Sequence, residues 1–251
     1  RPLSFSLYLR GTACPYNDPV RKRDVRGWLA WLVGWFARGL VCVVLGWYLA
    51  CCLCLLLLRW VDPPVTAVQA QRSLEALLRR EPYARRYVFV PLRRIAPALQ
   101  HAVVAAEDSR FFEHHGFDWI EIQKVLDEND ADGLPSRGAS TITQQLVKNL
   151  FLTTHRHPLR KAAEASLTPV VERLLGKQRI LELYLNVVEW GPGVFGAEAA
   201  ARYHYGIPAY RLSREQAARL AAILPSPRRW KPARMHRYSG VILRRMEQMG
   251  W

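Results

Sequence analysis

Three short runs of this chain hold residue types that could perform acid–base and anion chemistry together. The first is Glu107-Asp108-Ser109-Arg110-Phe111-Phe112-Glu113-His114-His115-Gly116. It follows an apolar helical pattern opened by Pro97 and carried by Leu99, Ala102, Val103 and Ala106, which places Glu107 and Asp108 at a helix C-terminus. Carboxylates there oppose the helix dipole, which raises their pKa, and a general base needs a pKa drawn toward the working pH. A solvated acidic turn has the same spacing. The second run extends from Gly138 through Ser140, Thr141 and Gln145 to Lys148 and Asn149. Small and hydroxyl residues at a helix start present backbone N–H groups to an anion. Thr141, Gln145 and Lys148 recur at i, i+4 and i+7 on one face, whereas Ile142, Leu146 and Leu150 form another. That polar stripe suits phosphate or sugar hydroxyls; an N-cap with a solvated face is the plainer alternative. The third run is Arg160-Lys161-Ala162-Ala163-Glu164. Its spacing fits surface helix pairs worth about 0.3–0.5 kcal/mol, or a cationic clamp oriented by a carboxylate.

The elements that must hold these runs are helical. Helical periodicity covers Thr141 to Leu152, Leu159 to Leu175, Lys177 to Val188, Gly196 to Tyr205, Ser213 to Leu224 and Arg237 to Met249. Ser213 and Gln216 form a capping box, and Pro169 is expected to kink or split its helix. One short strand is expected from Tyr87 to Val90, and Asp62-Pro63-Pro64 reads as a stiff linker. Acidic Asp127 to Asp132 followed by turn-like Gly133-Leu134-Pro135 reads as a mobile loop. His155, Arg156 and His157 lack a third ligand at metal spacing and read as a loop. The class is mainly α.

Composition limits the function classes. Half the chain is hydrophobic, which excludes a wholly disordered protein, and 15 Gly with 16 Pro exclude a collagen-like repeat. The net charge of +15 suggests an anionic partner: nucleic acid, lipid surface or phosphorylated substrate. From Leu40 to Leu58 the chain runs 19 residues without a charge, bounded by Arg38 and Arg59. A helix of that length covers roughly 28 Å, close to the hydrocarbon core of a bilayer. Trp47, Tyr48 and Trp60 sit in or near its interfacial zones, and the weaker apolar stretch Trp28 to Ala37 suits the interface. No small-residue cleavage site follows, so the run reads as an uncleaved anchor. Arg21, Lys22, Arg23 and Arg26 precede it, so the N-terminus is expected to be cytoplasmic and the chain beyond residue 60 to have crossed the membrane. Four of the five cysteines lie in the span and none follows residue 60, so the exported part has neither a disulfide framework nor a thiol nucleophile.

Taken together and in order, the motifs resemble those of glycosyltransferase family 51, the peptidoglycan glycosyltransferases. E-D-x-x-F-x-x-H-x-G is matched by Glu107, Asp108, Phe111, His114 and Gly116; G-x-S-T-x-T-Q-Q by Gly138 to Gln145; R-K-x-x-E by Arg160, Lys161 and Glu164; and K-x-x-I-L-E-x-Y-L-N by Lys177, Ile180, Leu181, Glu182, Tyr184, Leu185 and Asn186. The fifth motif departs: Tyr238 and Ser239 stand where an Arg pair is expected before Ile242-Leu243, with Arg234 and Arg237 as candidate substitutes. No Ser-x-x-Lys and no Lys-Thr-Gly occurs, so the chain resembles the monofunctional type.

The resemblance implies a lysozyme-like α domain with a small membrane-facing lobe, within 117–137, after one transmembrane helix. Its organisation would be a basic cytoplasmic tail and interfacial segment (1–38), an anchor (39–59), a linker and membrane-proximal segment (60–84) and a glycosyltransferase domain (85–251). It implies an enzyme of the bacterial inner membrane, with a periplasmic catalytic domain that polymerises lipid II and releases undecaprenyl pyrophosphate. Glu107 would be the general base. Glu164 would position the diphosphate, with a divalent ion, Mg or Mn, in some relatives. Lys148, Arg160 and Lys161 would supply positive charge, Ser140, Thr141 and Gln145 would hold substrate oxygens, and Asp108, Phe111 and His114 would shape the base's surroundings. Gly116, Gly138, Tyr184 and Asn186 would be structural. Lipid II, the growing lipid-linked strand, the bilayer and other wall-synthesis or division proteins are the implied partners. A lytic enzyme on the same scaffold and an idle wall-synthesis scaffold are the rivals. No helix or zinc motif supports a nucleic-acid partner.

Overall fold

The computed structural model describes residues 21–132 and 139–251. Two compact units divide the chain, Arg1–Leu49 and Ala50–Trp251. In the first, the described residues belong to helix α1 (Arg21–Leu57), whose apolar stretch Trp28–Leu57 is long enough to cross a membrane. The segment Trp28 to Ala37 continues this helix without a break.

The second unit is mainly α, as expected. After α1 come α2 (Ala67–Arg79), α3 (Pro97–Glu107), α4 (Trp119–Asp132), α5 (Ile142–Phe151), α6 (Pro158–Val187), α7 (Ala197–Tyr205), α8 (Arg214–Ala221) and α9 (His236–Gln248). The core lies between α3 and the pair α8 and α9, and between α5 and its neighbours α6 and α2. Leu99, Ala102 and Val103 of α3, Ile142 and Leu146 of α5, and Ile180, Leu183 and Leu185 of α6 are fully buried. These are the apolar faces that the periodicity marks. The Ser213–Gln216 capping box is present, and Thr141 with Gln144 forms another at the start of α5.

Three short strands, β1 (Arg86–Tyr87), β2 (Glu189–Gly191) and β3 (Val194–Phe195), form a sheet in the order β1-β3-β2. β1 runs parallel to β3, with Arg86 opposite Val194, and β2 runs antiparallel to it.

Three local expectations are corrected. The strand expected over Tyr87 to Val90 stops at Tyr87. The Val90 N–H donates to Asn186 Oδ1 and its C=O accepts from Asn186 Nδ2, both at 2.9 Å, so a side-chain amide takes the place of a strand neighbour. The helix through Pro169 does not split there; the backbone leaves helical geometry at Gly176 (φ 71, ψ 160), the position between the expected helices Leu159 to Leu175 and Lys177 to Val188. Leu167, Thr168 and Val171 are fully buried around Pro169, and packing overrides the proline's preference. Gly176 takes a positive φ that disfavours any residue with a Cβ. Finally, much of the stretch expected to be a mobile loop is helix α4; Gly133 to Gly138 lie outside the described residues.

Arg179 of α6 ties down the segment that follows α1, within the second unit. Its Nε donates to the Leu58 carbonyl at 2.9 Å, its Nη2 to the Val61 carbonyl and to Asp62, and its Nη1 to Glu182. Glu182 in turn accepts the Leu92 N–H at 2.7 Å. The carbonyls beyond a helix end need donors, and the guanidinium fork supplies several at once.

Candidate active site

The site begins where α3 ends. Glu107 is the last residue of α3 and Asp108 its C-cap. Asp108 joins two elements: Oδ2 accepts the Ile142 N–H of the first turn of α5 at 3.0 Å, and Oδ1 faces His114 Nε2 at 2.9 Å. His114 Nδ1 accepts the Gly116 N–H at 3.2 Å, so the ring carries its proton on Nε2 and donates it to Asp108. Gly116 closes the turn with φ +97, and its carbonyl accepts the Thr141 hydroxyl at 2.7 Å. Phe111 is fully buried, with Lys177 Nζ 4.5 Å from its ring centre. The first run is therefore a folded strut that fixes α3 against α5.

Gly116 should tolerate no side chain. A Cβ there would lie 2.7 Å from Thr168 Cγ2, on a backbone that already disfavours L-residues. Gly116→Ala is expected to cost about 2–4 kcal/mol. A melting curve of the purified variant beside wild type checks this; an unchanged midpoint would show that the turn is free to relax.

The polar stripe of α5 does face Glu107. Thr141, Gln145 and Lys148 line one cleft with it, together with Ser140 and Asp108. Gln145 Nε2 donates to Glu107 Oε2 at 2.7 Å, and Tyr184, from α6, donates its hydroxyl to Gln145 Oε1 at 3.0 Å. Thr141 spends its hydroxyl inside the protein, on the Gly116 carbonyl and the Gln144 N–H. Burial raises the Glu107 pKa above the ordinary carboxylate value; the Gln145 hydrogen bond and the Lys148 charge oppose the rise, and Asp108 adds to it. Burial lowers the Lys148 pKa, against the pull of Glu164 and Glu107 and with the push of Arg160 and Lys161. Lys148 Nζ has no hydrogen-bond or ion-pair partner among the described residues.

The third run is not a surface pair. The Glu164 side chain is 3 % exposed, and it accepts from Arg160 Nη1 at 2.6 Å and from Lys161 Nζ. Lys161 Nζ also donates to Ser140 Oγ at 2.9 Å, on the cleft wall. A divalent ion does not fit Glu164, because both carboxylate oxygens already face cations and such ions want several oxygen ligands. Asp108, His114 and Asp118 bring ligand-type atoms within 4.8 Å of one another, but His114 spends both ring nitrogens on Asp108 and Gly116. Neither group is a fit for a metal.

A half-buried carboxylate with a raised pKa and a lysine with no ion-pair partner among the described residues thus share one cleft, braced by four motifs spread over the chain. A family model described as Transglycosylase matches residues 73–247. The chain belongs to the transglycosylase family. It is 47 % identical over 220 residues to the biosynthetic peptidoglycan transglycosylase of Pseudomonas entomophila, covering 86 % of this chain and 88 % of that relative. Relatives of the same description from Azoarcus sp. and Pseudomonas aeruginosa are 50 % and 47 % identical over 194 and 209 residues. These alignments cover 77 % and 81 % of this chain, and 84 % and 90 % of the respective relatives.

Sequence reasoning missed part of this transglycosylase's cleft. Its far wall carries Leu224, Pro225, Tyr238 and Arg245. Arg234 and Arg237, the candidate substitutes for the missing arginine pair, are exposed and do not line the cleft. The cation on that side is Arg245, whose Nη1 donates to the Ala105 carbonyl at 3.4 Å. Tyr238 and Arg245 are seven apart, hence on one face of α9, beside the buried Ser239, Ile242 and Met246. That spacing was the available signal. Asn186 bonds both the N–H and the C=O of Val90; Gly138 lies outside the described residues.

Proposed function

We propose that this chain polymerises lipid II into β-1,4-linked glycan strands, with Glu107 as general base. The observation that carries this reading is the pairing, in one cleft, of a carboxylate with a raised pKa and a lysine with no ion-pair partner. Glu107 would take the proton from the 4-hydroxyl of a lipid II N-acetylglucosamine as that oxygen attacks the anomeric carbon of the strand's N-acetylmuramic acid. Undecaprenyl pyrophosphate leaves from the opposite face, so an α-linked donor gives a β product in one displacement. Burial suits the base to this work, since an ordinary carboxylate is too weak to hold the proton. Lys148, with the Arg160–Glu164–Lys161 group behind it, would meet the negative charge that develops on the leaving pyrophosphate. Glu164 holds the two flanking cations in place.

The membrane helix fits a substrate and product that both carry long lipid tails. The basic residues Arg21, Lys22, Arg23 and Arg26, at the start of α1 and ahead of its apolar stretch, favour a cytoplasmic N-terminus and an outward-facing catalytic unit. The cationic group favours synthesis over the lytic rival, whose reaction releases no pyrophosphate. The deciding experiment incubates the detergent-solubilised full chain with lipid II and sizes the products on a gel. Long glycan that muramidase digests is the expected result. Shortening of preformed glycan with lipid II untouched would establish the lytic reaction instead.

A further inference from the structure

We infer that Tyr184 and Gln145 are positioning residues for the base: the phenol fixes which end of the Gln145 amide faces Glu107, and so holds the carboxylate in its proton-accepting form. This rests on the assignment of Glu107 as base.

An amide has one donor end and one acceptor end, and the two can exchange by a flip. A free glutamine beside a buried carboxyl group therefore has two settings. With Nε2 toward Glu107 it donates, which favours the ionised carboxylate. With Oε1 toward Glu107 it accepts, which favours the protonated acid. In this structure Nε2 lies 2.7 Å from Glu107 Oε2, and Oε1 receives the Tyr184 hydroxyl at 3.0 Å. Tyr184 is fully buried, and burial drives its pKa well above the ordinary tyrosine value, so it keeps its proton and remains a donor. A donor on Oε1 holds the amide in the first setting.

The same geometry revises the part given to Gln145. Both ends of its amide are engaged within the protein, and its backbone carbonyl accepts from Asn149 Nδ2 at 2.8 Å. It is set to orient the base rather than to grip a sugar. The other charged and titratable groups facing Glu107 are Asp108 beside it and Lys148 from α5; Asp118, Glu121 and Arg245 line the same cleft. Gln145 Oε1 takes its hydrogen bond from Tyr184.

The test compares wild type, Tyr184→Phe, Gln145→Met and the double variant, each as the full chain in detergent, with Glu107→Gln as control. Lipid II polymerisation is followed from pH 5 to pH 9. Tyr184→Phe keeps the buried ring and removes one hydroxyl, so the fold should survive, which a melting curve checks. We expect kcat to fall about tenfold with KM within about twofold, and the acidic limb of kcat/KM to move to higher pH. If Tyr184 acts only through Gln145, adding Tyr184→Phe to Gln145→Met changes nothing further. Additive losses, an unmoved pH profile, or a rise in KM with kcat retained would overturn the inference. Full activity of Glu107→Gln would overturn the base assignment itself, and so separates the two failures.

Discussion

Glu107→Gln is expected to lower lipid II polymerisation by about 10³-fold or more, with little change in KM. A positioned base contributes roughly 10²–10⁴ to such a transfer, and glutamine has the same shape without the capacity to hold the proton. The stability change should have the opposite sign. Burial raises the Glu107 pKa above its ordinary 4.5, so the folded state holds that proton more tightly than the unfolded chain does. The stabilisation from Glu107 is fully present below the unfolded pKa and is lost as pH rises through the folded one. At pH 7.5 wild type therefore carries a penalty that Glu107→Gln lacks, and the variant should melt at an equal or higher temperature. Near pH 4 that advantage should shrink. Wild-type turnover should rise with pH through the same folded pKa, an acidic limb above the ordinary carboxylate range. A variant that is inactive and less stable at neutral pH would mark Glu107 as structural.

The motif spacing placed Glu107 at the end of one helix and Lys148 two turns into another, and the structure brings both to one cleft. What joins them was not legible. The Asp108 carboxylate fastens the N-terminus of α5, and the Tyr184 hydroxyl reaches Gln145 across 39 residues of chain. Such pairs follow from tertiary packing, and helix periodicity carries no record of them. Arg160 and Glu164 illustrate the same limit. An i,i+4 spacing is identical for a solvated pair and a buried one, and only the packing of α6 on α5 decides between them. Val90 failed as a strand residue because Asn186, 96 positions away, satisfies its backbone. The helix starts at Thr141 and Ser213 were recoverable, since a capping box is a local contact written in four residues.

Lys148→Met should reduce kcat by about 10²–10³, and the loss should depend on pH. Removing one charge-stabilising group from a water-poor site commonly has that effect. Lys148 also acts on the base, since its charge favours the ionised form of Glu107. Without it the Glu107 pKa rises further and the acidic limb moves to higher pH. The ratio of variant to wild-type turnover should therefore climb as pH rises through the acidic limb, then level at the loss due to the leaving group alone. Lys148→Arg separates the two contributions. It restores the charge, and with it the position of the limb, but its planar fork cannot reproduce a point charge on a flexible stem, so turnover should recover only in part. The prediction fails if the ratio is flat across this range, because Lys148 would then lie outside the field of the base. It fails equally if Met and Arg behave alike, because a role that ignores charge is a packing role.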